Sequence, residues 1–186
     1  MYDIIIAGAG PAGASAALFA AKAGKKTLVI DSDQSMTKKA WIENHYGRDK
    51  ISGPDLVETG LAQMKKFGAE HRQAKVLSID STDTGASVTT EEETIEAKHV
   101  LLATGALTDT AEKSGIQIKE GPEPRIKQVV DITPEGRTSL DHVWAAGTCA
   151  GKSVHTIVTS GHGAEVAINI ISELNGERYV DHDVLK

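Results

Sequence analysis

Cysteine is nearly absent from the sequence: Cys149 stands alone, so no disulfide can form within the chain and no Cys-x-x-Cys redox pair exists. Aromatic residues are scarce, at 4%, and no uncharged apolar run approaches the roughly 20 residues that span a bilayer. No long basic run occurs, and the net charge is −6. We therefore expect no nucleic-acid partner and no membrane partner.

No basic leader precedes the apolar stretch Tyr2–Ile6, and glycines and a proline interrupt the alanine-rich segment after it, which argues against a signal peptide. A length of 186 residues, 40% hydrophobic and 25% charged, suits one soluble domain. We expect a single cytoplasmic domain over residues 1–186. The 18 glycines favour the close backbone packing of nucleotide-binding α/β folds.

The first 31 residues predict a β-α-β unit. Tyr2–Ala7 is a short apolar run rich in β-branched residues, which is typical of a buried strand. Helix formers fill Ala12–Ala23, Gly24 follows as a C-cap, and Lys26–Ile30 is a second buried strand. Such a unit gives a parallel strand pair.

The rest of the chain extends this α/β pattern. We predict helices at Gly53–Lys66 and Thr156–Leu174, and strands at Ala74–Ile79, Ala86–Thr90, Thr94–Ala97, His99–Ala103, Arg125–Ile132 and Val143–Ala146. Residues 106–124 are a predicted connector, and the tail Tyr179–Lys186 is ordered only if it docks. The predicted fold is α/β and Rossmann-like, with a parallel sheet flanked by helices and a small antiparallel β-meander.

The turn after the first strand has the pattern G-x-G-x-x-G, in the residues Gly8, Ala9, Gly10, Pro11, Ala12 and Gly13. In this pattern the first glycine permits a tight turn, the second lets the backbone approach a pyrophosphate, and the third lets helix and strand pack closely. Asp31 ends the second strand, where an acid binds the ribose hydroxyls. These residues predict a dinucleotide site but do not separate FAD from NAD. The alternative is a glycine-rich turn without a ligand.

Four segments resemble the FAD domain of thioredoxin reductases and related flavoprotein disulfide reductases. They are G-A-G-P-A-G at 8–13, the E-N-x-x-G…I-S-G-x-x-L stretch at 42–56, the A-T-G strand end at 100–105, and G-R-T-S…V-x-A-A-G at 136–147. They follow the family's order and cover most of the chain. The resemblance implies FAD as the cofactor.

The same resemblance implies further binding residues. Asn44 would lie by the flavin, and Val76 would offer backbone contacts to adenine. The last helix would begin against the flavin's pyrimidine edge, where a helix N-terminus stabilises the negative charge of a reduced flavin. The remaining residues implied near the cofactor are Ala103, Thr104, Gly105, Gly147, Thr148, His155, Thr156 and Ile157.

The sequence departs from the family's pattern in several places. Thr148 stands where the family has an aspartate that hydrogen-bonds the ribityl chain, and the family's Gly-Gly-Gln after the first acid is absent. Only residues 106–135 separate the A-T-G and G-R-T-S segments, where the family carries its nicotinamide-binding domain, and no second G-x-G-x-x-G occurs. We expect a single FAD-binding domain in which the connector at 106–124 replaces the NAD(P)H domain.

Other candidate sites carry less weight. Gly147–Ser153 nearly spells a P-loop, but Ala146 stands where that motif needs glycine. Cys149 is either a flavin-adjacent thiol or a small buried residue, and we favour the buried residue because no resolving thiol exists. The seven histidines, His182 among them, show no metal-type spacing, so we expect no metal.

Two functions remain open. The first is a flavin oxidoreductase that takes electrons from an external donor such as NAD(P)H; its catalytic residues are unknown, because the cofactor carries the redox chemistry. The second is a non-catalytic or partner-dependent FAD module, for which a reductase partner protein supplies the missing groups. We expect a homodimer, because the absent domain leaves apolar surface to bury.

Overall fold

In the computed structural model, which describes residues 1–181 and 183–185, the chain begins with the predicted β-α-β unit. Strand β1 (Tyr2–Ala7) leads through helix α1 (Pro11–Lys22) to β2 (Thr27–Asp31). The two strands are parallel, with Ile4 opposite Thr27. The unit is therefore confirmed, with each boundary within one residue of the expected position.

The later elements complete one large sheet and two small ones. In chain order these elements are β3 (Trp41–Ile42), β4 (Ile51–Ser52), α2 (Gly53–Lys66), β5 (Glu70–Gln73), β6 (Ser78–Thr82), β7 (Gly85–Thr89), β8 (Thr94–Leu102), α3 (Asp109–Lys113), β9 (Ile118–Glu120), β10 (Gln128–Val130), β11 (Val143–Ala145) and α4 (Thr156–Asn175). The order of strands in the large sheet is β5-β2-β1-β8-β7-β6, and β11 also pairs with β8.

Strand β8 joins the parallel and antiparallel parts of the sheet. Its second half runs parallel to β1 and β11, whereas its first half is antiparallel to β7, with Ala97 opposite Ala86. The two strands predicted at Thr94–Ala97 and His99–Ala103 are thus one strand. The parallel sheet with an antiparallel meander confirms the expected fold class.

Side-chain alternation along β1 divides the core between the two faces of the sheet. Ile4 and Ile6 pack toward the helices, whereas Ile5 and Ala7 pack toward the meander and α3. On the helical face α1 and α4 cross closely, since a Cβ on Gly163 would lie 2.1 Å from the Ala12 carbonyl oxygen. This crossing brings the first turns of both helices to the same edge of the sheet.

The predicted strand at Ala74–Ile79 is wrong over residues 74–77, and only its last two residues lie in a strand, β6. Strand β5 ends at Gln73 and β6 begins at Ser78, so residues 74–77 are a crossing segment between them. The edge strand β5 was missed because its residues are polar and its conformation depends on pairing with β2. Val76 is buried in the crossing segment, which explains the misleading apolar pattern.

The connector and the tail are more ordered than their composition indicates. The predicted connector at 106–124 contains α3 and β9, and the strand predicted at Arg125–Ile132 is limited to β10. The tail docks where it is described: the Tyr179 amide donates to Ser172 Oγ, and Lys22 pairs with Asp181. His182 and Lys186, which the tail prediction included, lie outside the described residues. Within those residues no helix is long and apolar enough to cross a membrane.

Candidate cofactor site

The turn between β1 and α1 is held in place by contacts that only glycine permits. Gly8 has a φ of +108°, and a Cβ there would lie 2.4 Å from the Ala103 carbonyl oxygen at the end of β8. A Cβ on Gly13 would lie 1.9 Å from the Gly8 carbonyl oxygen. Gly10 is less enclosed, with Ser35 Oγ 3.2 Å from the position of its Cβ. The turn is therefore packed behind and open in front.

The N-terminus of α1 lies at this open side without a capping side chain. Its N-cap is Gly10, Pro11 follows, and no side chain bonds the first amides. The first turn of a helix leaves amide hydrogens without intrahelical partners, and the helix dipole places positive charge there. This end of α1 is suited to a phosphate.

Asp31 lies beside the turn with its carboxylate held from two directions. Oδ1 accepts a hydrogen bond from the Ala9 amide at 3.0 Å, and Oδ2 accepts one from the Asp33 amide at 3.0 Å. Each carboxylate oxygen retains a further lone pair. The side chain is only 9% exposed and lines the cavity in front of α1, which suits it to accept hydroxyl hydrogens from a ribose.

A cavity of about 510 Å³ lies in front of the turn, within the usual range for a small-molecule site. It brings together most of the residues expected at the site: Gly8, Gly10, Pro11, Ala12, Asp31, Val76, Ala103, Thr104, Gly105, Thr148 and Thr156. An uncapped helix and an oriented carboxylate thus open into one apolar-walled space, an arrangement that fits a dinucleotide.

The other expected site residues do not line this cavity. Ala9, Gly13 and Gly147 lie behind its wall, where they bond or pack against other backbone segments. Asn44, His155 and Ile157 are exposed outside it. The segment that carries Asn44 nevertheless reaches the start of α4, because His45 Nδ1 lies 2.9 Å from Thr156 Oγ1.

A sequence profile described as pyridine nucleotide-disulphide oxidoreductase matches residues 2–130. The chain belongs to this family. Members of the family, thioredoxin reductases among them, are FAD-binding flavoproteins, which confirms FAD as the expected cofactor and the resemblance on which that expectation was based.

Thioredoxin reductases are among the similar curated proteins. Those of Listeria monocytogenes and Aquifex aeolicus are each 38% identical to this chain, over 109 and 112 residues, or 57% and 58% of its length. These matches cover only 34% and 35% of the two relatives, so the matched segment spans about a third of their length.

Solved structures share the fold at low identity. A thioredoxin reductase from Gloeobacter violaceus superposes with a TM-score of 0.86 and 17% identity, covering 100% of this chain and 99% of that one. The atypical thioredoxin reductase TRi from Desulfovibrio vulgaris Hildenborough gives a TM-score of 0.83 at 20% identity, covering 95% and 99%.

The sequence did not indicate all the walls of the cavity in this member of the family. Residues 34–37 line it beside α1, and their position shortly after Asp31 was the available signal. The connector forms another wall: Thr110 Oγ1 donates to the Val76 carbonyl at 3.1 Å, and Lys75 pairs with Asp109 at 3.3 Å. No local pattern predicts these tertiary contacts.

Cys149 is enclosed in the protein. Its side chain is 0% exposed, and Sγ donates to the Ala146 carbonyl at 3.2 Å. Burial raises the pKa of the thiol, so the nucleophilic thiolate is disfavoured. Within the described residues, no cluster of three or more histidine, cysteine, aspartate or glutamate side chains is placed to hold a metal ion.

Proposed function

We propose that this chain holds FAD in the cavity in front of the β1–α1 turn and passes electrons through the flavin from an external donor to an external acceptor. The observation that carries the proposal is the opening of two features into one cavity: the uncapped N-terminus of α1 and the oriented carboxylate of Asp31. Family membership identifies the dinucleotide as FAD.

Each part of the cavity is suited to a different part of FAD. The start of α1 binds the pyrophosphate through its free amides, and Asp31 accepts the ribose hydroxyls. Val76 and the connector enclose the adenine end, where apolar walls exclude water. Thr148 and the start of α4 then face the ribityl and flavin end.

The N-terminus of α4 places positive charge at the flavin end of the cavity. No side chain caps this helix, and Thr156 lines the cavity at its first turn. Its positive dipole end stabilises negative charge that develops nearby, and His45 holds the Thr156 hydroxyl in place. The flavin, when bound, supplies the electron-transfer chemistry itself.

A partner-dependent module is the second candidate function. Val154, which lines the cavity, is 54% exposed, and Trp41 and Tyr46, near the His45 that contacts Thr156, are 62% and 92% exposed. The matched thioredoxin reductases are about three times as long as the segment they share with this chain. A partner protein, or a second copy in a cytoplasmic homodimer, would cover these side chains and bring NAD(P)H or a disulfide to the flavin.

One preparation tests the proposal. The purified protein is expected to be yellow, with a flavin absorbance spectrum, and to release FAD on denaturation, which chromatography against FAD, FMN and NAD standards identifies. Bound NAD, or no affinity of the apoprotein for any dinucleotide, would refute it.

A second experiment compares the reduction of the bound flavin by NADPH for the protein alone and with cell extract. Reduction by the protein alone supports an autonomous enzyme, and reduction only with extract supports the partner-dependent module.

A further inference from the structure

His162, on the inner face of α4, has a specific bond to the backbone behind the cofactor cavity. Its Nδ1 accepts a hydrogen bond from the Gly147 amide at 3.0 Å, and the residue is only 5% exposed. Gly147 follows β11 and has a φ of +81°, and a Cβ there would lie 2.8 Å from the Ala12 Cβ. The peptide is thus fixed between α1 and α4.

This peptide stands between two residues that line the cavity, Ala146 and Thr148. The Gly147 carbonyl, which belongs to the next peptide unit, is also occupied, because it accepts hydrogen bonds from the Ala150 and Lys152 amides at 3.1 and 3.2 Å. His162 is therefore the side chain that fixes the direction of the Gly147 amide. Without this acceptor, the amide would be buried and unpaired.

The protonation state of His162 decides whether the bond can form. A histidine that accepts at Nδ1 must be neutral and carry its proton on Nε2. Burial lowers its pKa to about 4; Lys152 also lowers it, and Glu165 on the same helix opposes the change. The adjoining part of α1 has no ionisable group before Lys22. The acceptor form is therefore the stable form at neutral pH.

We propose that His162 is a positioning residue for the cofactor: as the neutral Nε2–H tautomer, it holds the Gly147 peptide so that Thr148 faces the ribityl and pyrophosphate region. This role rests on the proposed FAD site. It goes beyond that site because His162 does not line the cavity and acts through the backbone. It also gives the turn after β11, which carries Thr148, a separate means of fixing its geometry.

Two substitutions at His162 separate hydrogen bonding from packing. In His162→Asn the amide oxygen lies close to the place of Nδ1 and accepts the same bond without titrating, whereas His162→Leu fills the space without an acceptor. The affinity of each apoprotein for FAD is measured at pH 7 by flavin fluorescence. We expect native affinity for His162→Asn and about tenfold weaker binding for His162→Leu, the loss of one net hydrogen bond.

Acidification provides a readout that needs no cofactor. The folded pKa of about 4 lies below the ordinary 6.5, so between these values the unfolded chain binds a proton that the native protein does not. Stability conferred by neutral His162 is thus full above pH 6.5 and falls as the pH drops to about 4, up to tenfold in the unfolding equilibrium per pH unit. Urea titrations at several pH values should show a steeper loss for the native protein than for His162→Asn.

Nitrogen-15 NMR of the histidines reads the tautomer directly, even if the leucine variant does not fold. A His162 ring protonated only at Nε2 at pH 7 supports the role, and a ring protonated at Nδ1 would overturn it. Equal FAD affinity in the native and leucine proteins, or identical acid profiles for the native and asparagine proteins, would also overturn it while leaving the FAD site intact. Native protein that binds no FAD would refute the proposed function and this role with it.

Discussion

Helices α1 and α2 pack against each other on the same face of the sheet, but their N-termini are built differently. Ser52 caps α2, accepting a hydrogen bond from the Asp55 amide at 3.2 Å, and Asp55 adds an acidic group to the first turn. Helix α1 begins at Gly10 with neither a capping side chain nor an acidic residue in its first turn. The sequence satisfies the amides of one helix and leaves those of the other to an external acceptor.

The third long helix, α4, has an uncapped N-terminus like that of α1, unlike the capped N-terminus of α2. No side chain caps α4, and its residues Thr156 and Thr159 line the same cavity as the start of α1. The uncapped helices therefore begin at the cavity, and the capped helix supports them from behind. A helix N-terminus that has no capping side chain and faces a cavity therefore distinguishes a ligand-binding helix from a helix that only supports the fold.

The largest expected effect comes from adding a side chain to Gly13, in the turn that leads into α1. In Gly13→Ala the new Cβ would lie 1.9 Å from the Gly8 carbonyl oxygen, so α1 must move away from β1. We expect destabilisation of about 3 kcal/mol or more in urea titration, with loss of FAD binding. Gly161→Ala is the matched control, because nothing lies within 4 Å of its Cβ in α4. An equal effect in both variants would show that the close packing at Gly13 is unimportant.

Removal of the carboxylate beside α1 should weaken cofactor binding, and also folding, because the buried Ala9 amide loses its acceptor. In Asp31→Ala the ribose loses a charged acceptor, which predicts about 1.5–3 kcal/mol weaker FAD binding by titration of the apoprotein. Asp31→Asn keeps the side-chain shape and separates charge from packing. Asp80→Ala, on an exposed strand position of β6, is the control for net charge and is expected to bind FAD normally. Unchanged affinity in Asp31→Ala would exclude Asp31 as the ribose ligand.

The sequence predicted the structure correctly where interactions between residues close in the chain determine it. The turn at 8–13 and the strand that ends in Asp31 follow from glycine geometry and apolar runs. Strand β5 was missed because Glu70–Gln73 are polar and become a strand only by pairing with β2. The wall formed by Thr110 was also missed, because its contact with Val76 joins segments that are distant in the chain.

The cap of α2 offers the converse test, in which folding stability should fall and FAD affinity should not. Ser52→Ala removes the acceptor for the Asp55 amide and should cost about 1 kcal/mol of folding stability. FAD affinity should not change, because no residue of 52–66 lines the cavity; the Gly53 amide donates to the Ala40 carbonyl at 2.8 Å, behind the cavity wall. Ser52→Asp, which restores a capping oxygen, is expected to recover native stability in the same thermal or urea titration. A change in FAD affinity without a change in stability would mean that α2 contributes to binding.

The turn after β11 resembles the start of α2 in having its polar groups satisfied within the chain, and Cys149 belongs to that turn. In Cys149→Ser the hydroxyl can donate to the Ala146 carbonyl as Sγ does, so we expect at most about 1 kcal/mol of destabilisation. Flavin reduction by NADPH, alone or with extract, should keep its native rate. The native thiol should react with a disulfide reagent only on unfolding, because it is fully buried and its pKa is raised. NADPH-dependent disulfide reduction by the native protein that is lost in Cys149→Ser would show instead that this turn opens and that its cysteine takes part in electron transfer.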